Sequence, residues 1–135
     1  MKKVWGAAGI LKQGDRICAL RRKFGDFAGF YEFPGGKVEP GETAEQAVIR
    51  ECKEELNVDV KILNLVEVIE HDYPGFHLNM PLYLCEIVGG ELALSVHDDL
   101  IWLDELNVEQ LNWIEATKNL VPKIKEIILN LTKEG

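Results

Sequence analysis

Residues 35–58 read GGKVEPGETAEQAVIRECKEELNV, and the rest of the chain is organised to hold them. The stretch opens on a pair of glycines and closes on a segment carrying three carboxylates. At helical spacing Glu51, Glu54 and Glu55 stand at i, i+3 and i+4, so they share one face over a single turn. On the same wheel Glu55 falls between Ala44 and Val48, inside the apolar arc completed by Cys52 and Leu56. A carboxylate on the core side of a helix needs a partner, because burying an unpaired charge is costly. Like charges at i,i+4 repel by roughly 0.2–0.5 kcal/mol even in the open. A divalent cation is the simplest group that holds such a cluster together; the competing reading is a solvated acidic helix face.

The helix itself is well specified. Thr43 with Gln46 forms a capping box, Glu45 complements the dipole in the first turn, and Val48, Cys52 and Leu56 give a docking stripe. Asn57 suits a left-handed residue just past its end. Upstream, Glu32-Phe33-Pro34-Gly35-Gly36 reads as a strand end turning through glycines that let backbone approach a ligand. It is not a phosphate-binding P-loop: Tyr31 stands at the first glycine position, and Val38 follows Lys37 where Ser or Thr is required.

Gly36, then Glu42, then Arg50-Glu51-Cys52-Lys53-Glu54-Glu55-Leu56-Asn57-Val58 resembles the Nudix box, the signature of the Nudix hydrolases. The departure is Asn57, where that family usually has glycine. Asn is the non-glycine residue most at ease at positive φ, so the turn is expected to survive. The resemblance implies an α/β (α+β) fold, an α/β/α sandwich with a mixed central sheet. It also implies that Glu51, Glu54 and Glu55 bind Mg²⁺, with Mn²⁺ as a substitute, and that Arg50 pairs within the box to orient them. Glu42 would support the loop, and a carbonyl of Gly35 or Gly36 would add an oxygen ligand. Glu54, Glu51, Arg50 and Glu55 are the catalytic set on this reading. Oxygen donors of this kind suit Mg²⁺, which keeps waters and substrate phosphates in its shell, and such a metal neutralises phosphate charge and activates water for in-line attack.

The resemblance runs on past the box. FPGGKVEPGET with EQAV looks like the MutT-like branch, which splits nucleoside triphosphates into monophosphate and pyrophosphate. Arg22, in the pair Arg21-Arg22, then becomes a phosphate contact, against the plainer reading of a surface charge pair. Tyr73 or Phe76 would stack on a base, and Phe33 would line the pocket; ordinary core packing explains each of these aromatics equally well. Related enzymes often place a glutamate just before a histidine in the loop ahead of the Trp102 strand, where it serves as an extra metal ligand or base. Here that position is Val96, leaving His97 or Asp98 to substitute, or Glu54 or Glu55 to act alone. They also read the base from an Asn or Asp at the start of the last helix, where this chain has Glu115-Ala116-Thr117 and only the shorter reach of the Thr117 hydroxyl.

Composition agrees with a single domain over residues 1–135. A net charge of −8 argues against a nucleic-acid binder and for a small, metal-complexed nucleotide as partner. No apolar run approaches a membrane span, and the first twenty residues carry no cleavable signal pattern. Cys18, Cys52 and Cys85 form no metal or redox motif, which suits buried thiols in a reducing cytoplasm. His71, His77 and His97 match no zinc spacing. A monomer or a homodimer is expected.

Along the chain, strands are predicted over 3–12, 17–22, 58–70, 80–88 and 101–103. A turn is expected over 71–76 around Pro74-Gly75, and a hairpin turn at Gly89-Gly90 leading into ELALS. Asn107 with Gln110 is expected to cap a short helix. The last helix carries Leu120, Ile124, Ile127, Ile128 and Leu131 on one stripe and must begin near Asn119 to tolerate Pro122. The glutamate helix and the last helix are expected on opposite faces of one sheet. The function expected is a Mg²⁺-dependent nucleoside triphosphate pyrophosphohydrolase acting on an oxidised purine such as 8-oxo-dGTP or on a pyrimidine such as CTP. A nucleoside diphosphate hydrolase of the ADP-ribose type and a non-catalytic nucleotide sensor are the alternatives.

Overall fold

The apolar run through Ala7, Ala8, Ile10 and Leu11 is buried on both sides, which marks the strand that carries it as the centre of a covered sheet. In the computed structural model, which describes residues 1–134, this strand is β1 (Lys2–Gln13). Six more strands follow it: β2 (Arg16–Arg22), β3 (Tyr31–Glu32), β4 (Gly35–Lys37), β5 (Val58–Tyr73), β6 (Phe76–Gly90) and β7 (His97–Trp102). The helices are α1 (Ala44–Leu56), α2 (Asn107–Gln110), α3 (Glu115–Lys118) and α4 (Val121–Glu134). The sheet runs β3-β2-β1-β6-β5, with β4 on β1 and β7 on β2. It is mixed: β1 and β6 are parallel, with Lys2 opposite Phe76 and Lys12 opposite Glu86, and the other pairings are antiparallel.

Period-2 alternation assigns the two faces. Ala7, Leu11, Cys18 and Leu20 pack under α1 with Val48, Cys52, Leu56, Val58 and Cys85. Ala8, Ile10, Ile17 and Ala19 face the other way, onto Phe33, Trp113 and the α4 residues Ile124, Ile128 and Leu131. This is the expected α/β/α sandwich, with Pro122 in the first turn of α4 where its missing N–H costs nothing.

The elements depart from expectation in five places. Gly89-Gly90 is not a hairpin turn; both glycines lie in β6 opposite Asp59 and Val58. A Cβ at Gly90 would sit 2.4 Å from the Asn57 carbonyl oxygen, so glycine is needed for this close approach. ELALS is not a strand but a segment laid across the end of α1. There Glu91 and Ala93 donate their N–H groups to the carbonyls of Asn57 and Leu56, and the Ser95 hydroxyl donates to that of Glu55. A helix leaves its last carbonyls without partners, and this segment supplies them. The expected turn over 71–76 is confined to Pro74-Gly75, because β5 and β6 pair as far as Tyr73 and Phe76, and the strand placed at 101–103 is β7, already paired with β2 from His97. Asn107 does not cap α2 with Gln110: it is the first residue of the helix. The turn is organised by Asp104, whose Oδ1 accepts from Leu106 and Asn107 N–H, while Asn107 Oδ1 accepts from Asp104 N–H. No helix among the described residues is long and apolar enough to cross a membrane.

Candidate active site

The acidic helix is fixed at both ends. Thr43 and Gln46 make the reciprocal capping box, and Asn57 closes the helix in the left-handed region at φ 59°. The Asn57 side-chain amide also donates to the Glu91 carbonyl at 3.1 Å. With α1 so anchored, Arg50 reaches into the loop before it. Its Nε and Nη2 grip both oxygens of Glu42 at 2.7 and 3.0 Å, and Nη2 also donates to the Lys37 carbonyl at 3.0 Å. Nη1 donates to Glu51 at 2.7 Å and to Glu54 at 3.2 Å. These charge-assisted bonds push the guanidinium pKa further up and hold Glu42 below the usual carboxylate range, the Glu42–Arg50 bond being the largest cause in each case.

Glu51 faces the two-glycine strand β4. A Cβ placed on Gly36 would meet the Glu51 carboxyl carbon at 2.7 Å, so the β4 backbone lies directly against the carboxylate and a larger residue there would displace the end of that side chain. Gly35 is equally constrained by β1, where a Cβ would fall 2.2 Å from the Ala7 carbonyl oxygen. Glu54 is exposed, and Glu55 is buried, with 7 % of its surface accessible. Burial, the hydrogen bond and charge of Glu51, and then the charge of Glu32 raise the Glu55 pKa well above the carboxylate range, with Arg22 pulling the other way. Its Oε1 has no hydrogen-bond partner. Of the three carboxylates only Glu51 lies against the glycine backbone, Glu54 is exposed on Arg50, and Glu55 turns inward toward Glu32 and His97 with a buried oxygen unsatisfied. Carboxylate oxygens of this kind suit a divalent cation that prefers oxygen donors.

Beside this face opens a cavity of about 290 Å³. Arg22, Phe33, Tyr73, Phe76 and Thr117 all line it, with Gly35 and Gly36 at the end nearest α1. Tyr73 and Phe76 stack with ring centroids 5.0 Å apart, and Phe33 packs on Trp113 at 5.3 Å. Arg22 is engaged by Glu32 at 3.1 Å. Asp98 is exposed and tied to Arg21 at 2.8 Å, whereas His97 is buried beside Glu32 and Glu55. Sequence reasoning did not single out Glu32 or Phe27 as site residues. A lone charge between Tyr31 and Phe33, in an otherwise apolar strand end, was the available signal for Glu32; Phe27 sits in an irregular loop that gave none.

A family model described as NUDIX domain matches residues 2–131. The chain is 40% identical over 94 residues to an 8-oxo-dGTP diphosphatase of Proteus vulgaris, covering 68% of this chain and 84% of that protein. It is 31% identical over 129 residues to an 8-oxo-dGTP diphosphatase of Escherichia coli (strain K12), covering 94% of this chain and all (100%) of that protein. The fold is similar to the crystal structure of a MutT NUDIX hydrolase from Burkholderia pseudomallei, with a TM-score of 0.78 and 28% identity over 92% of this chain and 99% of that one.

Proposed function

On the premise that the chain belongs to the NUDIX family and is a Nudix hydrolase, we propose that it is a Mg²⁺-dependent nucleoside triphosphate pyrophosphohydrolase releasing a nucleoside monophosphate and pyrophosphate. The observation that supports this reading is contiguity. The acidic face of α1 and the aromatic-lined cavity meet at Gly35-Gly36, so one ligand can present phosphates to the first and a base to the second.

Glu51, Glu54 and Glu55, with a backbone oxygen of Gly35 or Gly36, would hold the metal. When bound it supplies neutralisation of phosphate charge and acidification of water. The remaining work belongs to the protein. Arg50 orients Glu51 and Glu54 while its bidentate grip on Glu42 fixes the loop. Tyr73, Phe76 and Phe33 offer flat apolar surfaces for a base. Thr117, donor and acceptor at once, reads a base edge in place of a longer amide or carboxylate. Arg22 meets phosphate by exchanging its Glu32 partner. An oxidised purine such as 8-oxo-dGTP is the first substrate to test and a pyrimidine such as CTP the second. The cytoplasm, where the three free thiols stay reduced, is the proposed place of action, as a monomer or homodimer.

A product-resolved screen of triphosphates and nucleoside diphosphate sugars with Mg²⁺ tests the proposal. Pyrophosphate with a monophosphate is expected, and Glu54→Gln should lower its release by about 100-fold or more. Unchanged release in that variant, or AMP with ribose phosphate from ADP-ribose as the main product, would overturn it.

A further inference from the structure

A buried histidine lies beside Glu55, and the proposed function gives it no part. Of residues 96–99, Val96 has no donor atom, Asp98 is held by Arg21 at 2.8 Å, and Asp99 accepts from the Tyr31 hydroxyl at 2.6 Å. His97 alone turns inward. Its side chain is fully buried, with Nε2 2.9 Å from Glu32 Oε2 and 3.9 Å from Glu55 Oε1. One ligand atom from each of the three residues lies within 4.8 Å of the others. Glu55 Oε1 is aimed into this triangle from a residue only 7 % exposed and has no partner.

We propose that Glu32, Glu55 and His97 form a second cation seat of mixed oxygen and nitrogen donors, distinct from the all-oxygen face of α1 and sharing Glu55 with it, which takes a first-row transition ion such as Mn²⁺, Co²⁺ or Zn²⁺ in preference to Mg²⁺. Imidazole is a ligand for transition ions, while Mg²⁺ keeps to oxygen. Donors about 2.0–2.2 Å from one ion sit about 3–3.5 Å from each other, so the observed spacings need only small side-chain rotations. The Glu32 carboxylate accepts only, which places the imidazole proton on Nε2 in the metal-free protein. Nδ1 has no partner, so the proton can transfer there and free the Nε2 lone pair without changing the charge of the ring. Until a phosphate draws it away, Arg22, 3.1 Å from the same Glu32 oxygen, holds that carboxylate in place, as the outer partners of metal ligands do. The seat rests on the proposed function only through Glu55.

The test uses tag-free protein, Mn²⁺ alone as the probe, and electron spin-echo spectroscopy to detect nitrogen coupled to the bound ion. The chain has three histidines, so the double variant His71→Gln/His77→Gln leaves His97 as the single imidazole. Nitrogen modulation is expected in the wild type and in this double variant. It should vanish in His97→Gln, together with a rise of about tenfold or more in the Mn²⁺ dissociation constant. No modulation in the double variant, or modulation persisting in a folded His97→Gln, overturns the proposal; if His97→Gln does not fold, the double variant alone decides. Mg²⁺-supported pyrophosphate release without nitrogen coupling would remove the seat and leave the proposed activity intact. Nitrogen coupling in a protein that releases no pyrophosphate would do the reverse.

Discussion

Arg50 is the residue on which the geometry of the acidic face depends. One guanidinium touches Glu42 twice, Glu51, Glu54 and the Lys37 carbonyl. Lysine offers a single point charge and cannot span that fork. Arg50→Lys should therefore cost about 1–3 kcal/mol of stability in urea unfolding and lower kcat more than it raises KM. Glu55 makes a second prediction. Its folded-state pKa lies above that of the unfolded chain, so folding favours the protonated acid. That contribution is fully present at and below the ordinary carboxylate range. It is lost as pH rises from there through the raised value. Metal-free melting temperature should fall across that window, Glu55→Gln should remove that part of the fall, and added Mg²⁺ should restore more stability at the alkaline end. The three box glutamates were legible because helical spacing alone put them on one face. Glu32 was not, and His97 came into view only through the resemblance, since nothing in local spacing brings a short strand before α1 and the start of β7 to the same carboxylate.

At the scale of elements, α1 sits on β1 because Gly9 leaves room for it. A Cβ there would meet Val48 Cγ1 at 2.8 Å and Cys85 Sγ at 3.0 Å, both on packed side chains. Gly9→Ala should push the helix off the sheet, costing about 1–3 kcal/mol. Because the acidic residues ride on that helix, the variant should also weaken Mg²⁺ binding measured by calorimetry. The caps of α1 were readable from Thr43, Gln46 and Asn57, each a local signal. The long β5–β6 hairpin was readable only in part. Its register shifts between Asp59 and Val60, Ile62 and Asn64, and Leu65 and Glu67, and each shift reverses which face the next side chain takes. Residues 91–95 alternate like a strand, yet the unsatisfied carbonyls of α1 claim their N–H groups first.

For the whole molecule, the α/β/α layering followed from two apolar helix stripes and one set of short apolar strands. The order of strands did not, because the parallel pairing of β1 with β6 joins opposite halves of the chain, a relation that local patterning does not encode. Its consequence can be measured. A fragment ending at residue 57 carries the complete acidic motif but lacks the neighbour that β1 pairs with from Lys2 to Lys12. It should show no cooperative unfolding by circular dichroism and no Mn²⁺ binding. During synthesis the same dependence imposes a delay. At roughly 5–20 residues per second, the nascent β1 waits several seconds on the ribosome before residues 76–90 emerge to lie beside it. Its apolar centre stays uncovered for that time, which makes the half-made chain a client for chaperones well before it is a catalyst.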